Sequence, residues 1–439
     1  MAGGVVVVGG GFAGVACARA LGRAGRDVTL LDRNTYHQFQ PLLYQVATAQ
    51  LAPTDVMSPL RGIFRRQDTV AVKNADVVGI DPATRTARTA TGESFSGDHL
   101  VLATGSRPNF FGIDGAAEHA YPLYSAADAE RLRDRVLRLF EDADLRPDRL
   151  DQGALDFVIV GAGPTGVETA GALADLVNDV MPDRYHDLDV SRARILLVDH
   201  SDTVLKPFSE RSHDYAAEVL TERGVELLLG RSVTEVRADG VVLGDGTVIP
   251  SHCVIWAGGL QAAGWAEDDD LPRGRGGRIE VGPDHAVAGF DGVWALGDAA
   301  NIAGPDGRAL PQLGSVALQA GRSVAEAIVA TDDGRTPEPF AYHDKGIMAM
   351  IGRKAAIAEV GAHHHELRGA VAHSAWLGVH AWLLGSARAR IDAFVSWAWD
   401  AFSADRSPAS IHDPDAARID WSDDVTAAEP PAEANGDQP

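Results

Sequence analysis

The chain repeats one segment: a short β-branched run, a glycine-rich turn, a helix and a second strand that ends in aspartate. In the first copy Val5 to Val8 leads into Gly9-Gly10-Gly11-Phe12-Ala13-Gly14, a helical stretch from Val15 to Arg23, and a strand Asp27 to Leu31 ending at Asp32. In the second, Phe157 to Val160 leads into Gly161-Ala162-Gly163-Pro164-Thr165-Gly166, a helix through Leu176, and a strand Ile195 to Val198 ending at Asp199. Each copy closes on another buried run entering a small-residue turn, Ala103-Thr104-Gly105 in one and Ala257-Gly258-Gly259 in the other. Gly9 to Gly105 is 96 residues and Gly161 to Gly259 is 98. The near-equal spans predict an α/β chain built from two Rossmann-like dinucleotide-binding units.

A lone glycine turn is weak evidence, but each copy here follows a buried strand and opens a helix. In that setting the glycines let the backbone approach a pyrophosphate, and the helix N-terminus supplies amide donors and a favourable dipole. Asp32, 18 residues past Gly14, is placed to accept hydrogen bonds from a ribose diol. Asp199 takes the same part 33 residues past Gly166, the segment Val177–Arg192 accounting for the extra length. Carboxylates at both positions repel a 2′-phosphate, which favours NADH over NADPH. Gly297-Asp298 supplies a further strand-end aspartate before a helix, able to bind a ribityl hydroxyl while the helix N-terminus points toward a flavin ring.

Composition removes several other classes. With 39 basic against 62 acidic residues, the net charge of −23 argues against nucleic-acid binding and weakens attraction to anionic lipid. Cys17 and Cys253 share no metal-ligand or redox-pair spacing, so zinc, iron–sulfur and disulfide chemistry are not expected. His363-His364-His365 reads as a solvated polar turn, and no metal is expected there. The N-terminus lacks the basic region of a secretory leader, and no run approaches the roughly 20 apolar residues of a spanning helix. The expected location is cytoplasmic, with membrane contact only at the surface.

The two fingerprints, the Ala103-Thr104-Gly105 turn and Gly297-Asp298 stand in the order found in the two-dinucleotide-binding-domain flavoproteins, the pyridine nucleotide-disulfide oxidoreductase-like superfamily, which the chain resembles. Disulfide reductases and sulfide:quinone oxidoreductases share this layout but need a cysteine pair that is missing here. More discriminating is Tyr36-His37-Gln38-Phe39-Gln40-Pro41-Leu42-Leu43-Tyr44-Gln45-Val46-Ala47-Thr48. It is similar to the H-x-F-x-P-L-L-Y-Q-V-A-T segment of type II NADH:quinone oxidoreductases, the alternative NADH dehydrogenases. Gly161 to Gly171 resembles the same family, as do Asp344-Lys345-Gly346 and Ile351-Gly352-Arg353. The likeness runs from about Val5 to Ser403.

That resemblance implies hydride transfer from NADH to FAD, then passage of two electrons to a membrane quinone, with menaquinone expected, without proton pumping. It implies FAD contacts from Gly9, Gly10, Gly11, Phe12, Gly14, Asp32, Arg33, Thr48, Val77, Ala103, Thr104, Gly105, Gly297 and Asp298. NADH contacts are implied from Gly161, Gly163, Pro164, Thr165, Gly166, Asp199, Gly258 and Gly259. Glu168 matches a family glutamate near nicotinamide and quinone that is thought to help protonation, although a carboxylate in a first helical turn is also favoured by the dipole alone. Tyr44, Gln45, Ser315 and Gln319 are the implied quinone contacts. Gly314 to Gly321 departs from the family's A-Q-x-A-x-Q-x-G: Gln319 and Gly321 match, but Ser315 replaces a glutamine whose reach it lacks. Two alternatives stay open, a soluble NADH-dependent flavoprotein reductase with another acceptor, and a FAD- and NADH-binding redox sensor without turnover.

The expected organisation is an FAD domain from 1–120 and 286–330, a connecting helix in 121–149, and an NADH domain over 150–285. A C-terminal region at 331–412 would face the membrane or form a homodimer, and 413–439 would be an acidic disordered tail. In the C-terminal region Ala375 to Leu384 is apolar and tryptophan-rich, followed by Arg388, Arg390, Ile391, Phe394, Val395, Trp397, Trp399 and Phe402. In the family this region forms amphipathic helices on the membrane, and interfacial tryptophan with headgroup arginine suits that placement.

Overall fold

The computed structural model describes residues 4–265, 269–361, 364–403, 406, 408–413, 418, 419 and 421. The first unit comprises β1 (Val5–Val8), α1 (Phe12–Arg23), β2 (Val28–Asp32), β3 (Val70–Asn74) and β4 (His99–Leu102). A short strand β5 (Ala120–Pro122) and helix α2 (Ala126–Leu145) lead to β6 (Asp156–Val160), α3 (Pro164–Asp175), β7 (Arg194–Asp199), β8 (Val225–Leu229) and β9 (Cys253–Trp256). The chain returns through β10 (Val293–Ala295) and α4 (Gly314–Asp332). It ends in β11 (Gly346–Gly352), β12 (Ala355–Val360), β13 (His365–Arg368), α5 (Gly369–Leu383) and α6 (Ala387–Phe402).

Two parallel sheets follow the same order, β10-β4-β1-β2-β3 and β5-β9-β6-β7-β8. Both faces of β1 and β6 are covered, which is why these strands read as unbroken apolar runs rather than alternating ones. Chain order reverses beside β1 and beside β6, so a crevice opens at the carboxyl end of each. The edge strand β5 pairs with β9 from Ala120 against Val254 to Pro122 against Trp256. The expected boundary at residue 120 therefore falls inside a strand of the second sheet. Small antiparallel sheets occupy 77–96 in the first unit and 233–250 in the second.

Helix α2 starts at Ser125, whose hydroxyl accepts from the Asp128 amide at 3.1 Å while Asp128 accepts from the Ser125 amide at 2.8 Å. This reciprocal pair satisfies two donors that the first turn would otherwise leave open. The Val177–Arg192 insert forms short helical turns after α3.

The C-terminal region is not helical throughout. Strands β11 to β13 form an antiparallel sheet that lies on α3. At Gly171 the two elements meet backbone to backbone: a Cβ there would sit 1.8 Å from the Ile351 carbonyl oxygen. Helices α5 and α6 follow, burying Ala372, Trp376, Ala381, Ala389, Ala393 and Trp397. Their other faces expose Val371, Val379, Trp382, Leu383, Ile391, Phe394, Val395 and Trp399. Among the described residues no helix is long and apolar enough to cross a membrane.

The expectation of disorder beyond 413 fails at two residues, and most of the others lie outside the described set. Ile419 and Trp421 are buried. The Trp421 indole lies 4.2 Å from the Arg149 guanidinium and donates to Asp142 at 3.1 Å, so an aromatic anchor overcomes the local acidity.

Candidate active site

The two glycine loops are superimposable in their constraints. Gly9 has φ +107° and Gly161 φ +106°. A Cβ on either would lie within 2.5 Å of a carbonyl oxygen of the closing turn, that of Ala103 or of Ala257. Gly14 and Gly166 each pass 1.8 Å, measured to an added Cβ, from the carbonyl oxygen of the loop's first glycine, which locks helix against strand. Gly11 and Gly163 differ: an added Cβ would meet nothing within 4 Å. They cap α1 and α3 without any side-chain hydrogen bond, and no acidic residue occupies either first turn: Glu168, expected there, is the fifth residue of α3 and lies past it. Each loop thus offers free helical amides beside an open cradle, which fits a pyrophosphate.

The two aspartates are equally matched. Asp32 accepts from the Gly10 amide at 2.6 Å and the Asn34 amide at 2.6 Å. Asp199 accepts from Ala162 at 2.6 Å and Ser201 at 2.7 Å. Burial pushes the Asp32 carboxyl up, and the two amides oppose that rise. His37 adds a second tether to the first loop, its Nδ1 standing 3.0 Å from the Gly10 carbonyl oxygen.

Both crevices open into one cavity of about 540 Å³. Its walls include Gly9, Gly10, Gly11, Phe12, Asp32, Arg33 and Val77 from the first unit, with Ala103, Thr104, Gly105, Gly297 and Asp298. Pro164, Thr165, Glu168 and Gly259 line it from the second unit. Gly14, Gly161, Gly163, Gly166, Gly258 and Asp199 are not among its lining residues. Burial raises the Asp298 carboxyl, while the Ser106 hydroxyl at 2.8 Å and the Arg278 guanidinium hold it down. The Gln40 side-chain oxygen is buried in this wall without a hydrogen-bond partner. An orphaned acceptor, an open cradle and strand-end carboxylates together suit a flavin dinucleotide in the first unit. The second unit repeats the cradle and carboxylate for a nicotinamide dinucleotide.

Glu168 stands where the units meet the C-terminal sheet. Its Oε1 accepts from the Met350 amide at 3.1 Å. The Trp376 indole N–H also faces the carboxyl and lowers its pKa, although no hydrogen bond of normal geometry reaches it. Glu168 borders the cavity and is half-buried, and its desolvation pushes its pKa to about 8. It is therefore mainly protonated at neutral pH. Tyr44 lines the same cavity, and burial together with the nearby Glu168 raises its phenol well above the usual range. His380 completes this wall: its Nδ1 pairs with the Trp376 carbonyl oxygen at 2.8 Å, its ring stacks on Trp376 at 3.8 Å, and burial lowers its pKa to about 4. Pairing with a carbonyl makes Nδ1 the donor, so the neutral ring presents Nε2 as an acceptor.

Four expected contacts sit elsewhere. The Thr48 hydroxyl turns back onto the Tyr44 carbonyl oxygen at 2.9 Å, and Thr48 is absent from the cavity wall. Gln45 is buried behind Tyr44. Ser315 and Gln319 share the face of α4 turned toward the 340–345 segment. Ser315 pairs with the Tyr342 hydroxyl at 2.9 Å, and the Gln319 amide makes two 3.0 Å bonds to the His343 main chain. Helical phase presents Gly314 and Ala317 to the cavity instead. Ser315 is therefore not part of this wall. Residues the sequence did not single out are Gln40, Ser106, Tyr124, Gln312, Met348, Trp376 and His380. Four of them stood in signalled stretches: Gln40 inside the discriminating segment, Ser106 just after the Ala103-Thr104-Gly105 turn, and Trp376 and His380 inside the tryptophan-rich run from Ala375 to Leu384. His363 of the histidine run lies outside the described residues. His364 Nδ1 is 3.3 Å from Glu359.

The pyridine nucleotide-disulphide oxidoreductase family matches residues 3–334. The type II NADH:quinone oxidoreductase Ndh of Mycobacterium tuberculosis is 36% identical over 425 residues, covering 93% of this chain and 90% of that protein. A Staphylococcus aureus type II NADH:quinone oxidoreductase is 28% identical, covering 79% and 87% respectively. Among solved structures, NDH2 from Plasmodium falciparum in complex with NADH superposes with a TM-score of 0.84 at 18% identity, over 91% of this chain and 98% of that one. The sulfide:quinone oxidoreductase of Aquifex aeolicus gives 0.70 at 18% identity, over 92% and 96%. Both cysteines of this chain are buried and unpaired. With its paired loops, Glu168 at their junction and these relatives, the chain belongs to the pyridine nucleotide-disulphide oxidoreductase family and, within it, to the type II NADH:quinone oxidoreductases.

Proposed function

We propose that this chain oxidises NADH and delivers the electrons to a quinone at a membrane surface, with FAD between them. The observation that carries the reading is that residues of both loops line a single cavity together with Glu168, Tyr44 and His380. When bound, the flavin supplies the two-electron relay between nicotinamide and acceptor. The protein's own part is placement: Gly11 and Gly163 would leave room for the two pyrophosphates, and Asp32 and Asp199 would hold the two riboses, bringing the reacting groups into proximity. Asp199 disfavours a 2′-phosphate, which supports NADH as the donor. A protonated Glu168 can give a proton to the acceptor while Tyr44 donates a hydrogen bond.

The exposed apolar faces of α5 and α6, with Arg388 and Arg390 nearby, support docking onto a bilayer rather than spanning it. The net acidity of the chain leaves apolar burial as the main attraction. The test is NADH oxidation by FAD-loaded protein with menadione and with a long-chain menaquinone in neutral vesicles. Menadione activity with vesicle flotation supports both parts. A soluble homodimer that does not float assigns the apolar face to a second copy instead, and an enzyme that ignores both quinones removes the acceptor reading.

A further inference from the structure

Gln45 was expected to touch the acceptor, yet it is buried behind Tyr44, held between that residue and the surface helix α6. The Trp397 indole N–H donates to Gln45 Oε1 at 2.8 Å, and Gln45 Nε2 donates to the Tyr44 hydroxyl oxygen at 3.0 Å. An indole N–H can only donate, so it dictates which end of the amide faces it. The amide's NH2 must then face Tyr44, whose oxygen is obliged to accept on that side. The phenolic hydrogen lies in the ring plane with two preferred positions, and Gln45 blocks one of them. The other points away from Gln45, and Tyr44 lines the cavity.

The geometry points to Trp397 and Gln45 as positioning residues that hold the Tyr44 hydroxyl as a hydrogen-bond donor to the carbonyl of the electron acceptor. The inference rests on the reading that a quinone is reduced in this cavity. All three side chains are buried, so water does not readily take the place of either bond. Further ties hold α6 to the same segment: Gln50 donates to Asp400 at 2.8 Å, and Arg406 bridges Asp400 at 2.7 Å and the Thr48 carbonyl oxygen at 3.0 Å. The other face of α6 carries Ile391, Phe394 and Val395 into solvent. The donor that orients the amide is therefore mounted on the helix proposed to rest on the membrane.

The test separates the half-reactions of FAD-loaded protein under anaerobic stopped flow. Trp397→Phe keeps the ring and deletes only the donor. It should slow reoxidation of the NADH-reduced flavin by menadione roughly three- to tenfold, the effect of one misdirected hydrogen bond, and leave reduction by NADH within about twofold. Tyr44→Phe should slow reoxidation at least as much, and the double variant should be no slower than Tyr44→Phe alone, because Trp397 acts only through that hydroxyl. Gln45→Met is the second route if Trp397→Phe fails to fold, with the same expectations. Unchanged menadione reoxidation in these variants, or additive losses in the double variant, would overturn the relay. Wild-type protein reoxidised by ferricyanide but not by menadione would overturn the acceptor reading on which it rests.

Discussion

Asp32 and Asp199 make the same bond in two different nucleotide sites: each accepts, at 2.6 Å, the amide of the second residue of its own glycine loop, Gly10 in one case and Ala162 in the other. A second amide two residues downstream, Asn34 or Ser201, holds the remaining oxygen. Both carboxylates are held by backbone amides, with His200 Nδ1 also 3.3 Å from the Asp199 carboxyl, so each is oriented in advance of a ligand. Preorganisation of this kind reduces the ordering cost of binding.

Asp199→Asn should therefore raise the KM for NADH about tenfold, the loss expected for one hydrogen bond to a charged acceptor. Discrimination against NADPH should fall at the same time, because the repelling charge is gone. Steady-state kinetics with both nucleotides reads both effects, and an unchanged preference would place selection elsewhere.

The glycines within each loop have separable roles. Gly14→Ala forces a Cβ against a carbonyl oxygen and should prevent soluble expression. Gly11→Ala meets no protein atom, so that variant should fold but lose FAD on gel filtration, the new methyl occupying the pyrophosphate cradle. Gly163→Ala should retain FAD and raise the KM for NADH. Flavin content per protein distinguishes these outcomes.

Glu168 predicts a definite pH response. Its pKa of about 8 lies above the ordinary glutamate value of 4.5, so the native state binds more protons across that window. The stability tied to this group is fully present below about 4.5 and is lost as pH rises through about 8. Glu168→Gln should raise the melting temperature relative to wild type by at least about 2 °C at high pH and by less in acid. A constant difference across pH would show that the carboxyl is not buried in its neutral form.

The same group shapes the acceptor half-reaction. Reoxidation by menadione should slow in wild type as pH passes about 8. Glu168→Gln should be roughly a hundredfold slower at neutral pH, with a flat profile. Equal rates across pH for both proteins would remove the protonation role.

On α6, Ile391 and Val395 lie one turn apart on the exposed face. Replacing both with glutamate removes about 1.5–3 kcal/mol of apolar burial per residue on docking and adds two charges that resist it. Flotation with neutral vesicles should be lost while NADH-ferricyanide activity is kept. Flotation that persists would assign the membrane contact to another surface.

The fold was largely legible because a buried parallel strand before a glycine loop leaves two marks, an unbroken apolar run and glycines with no room for a side chain. That pattern occurred twice, and both sheets formed around it. The sheet β11 to β13 left no such mark, because β11 and β12 are built largely from alanine, glycine and methionine rather than from an unbroken β-branched run. Which side of α4 meets the cavity was not legible either. Ser315 and Gln319 stand on one helical face, but only the path of residues 340–345 decides that this face turns away. Gln45 shows the same limit: the family resemblance implied an acceptor contact, whereas its bond to the buried Trp397 indole draws its amide inward. Trp421 could be found in the sequence as an aromatic residue in an acidic tail, but its dock on Arg149 is a tertiary fact.

The most direct measurement is anaerobic mixing of FAD-loaded protein with NADH while flavin absorbance is followed, then addition of a menaquinone analogue. Two sites opening into one cavity should give rapid bleaching by NADH and rapid recovery of the oxidised spectrum with the quinone. Bleaching without recovery would contradict the acceptor assignment, and absence of bleaching would contradict the union of the two nucleotide sites.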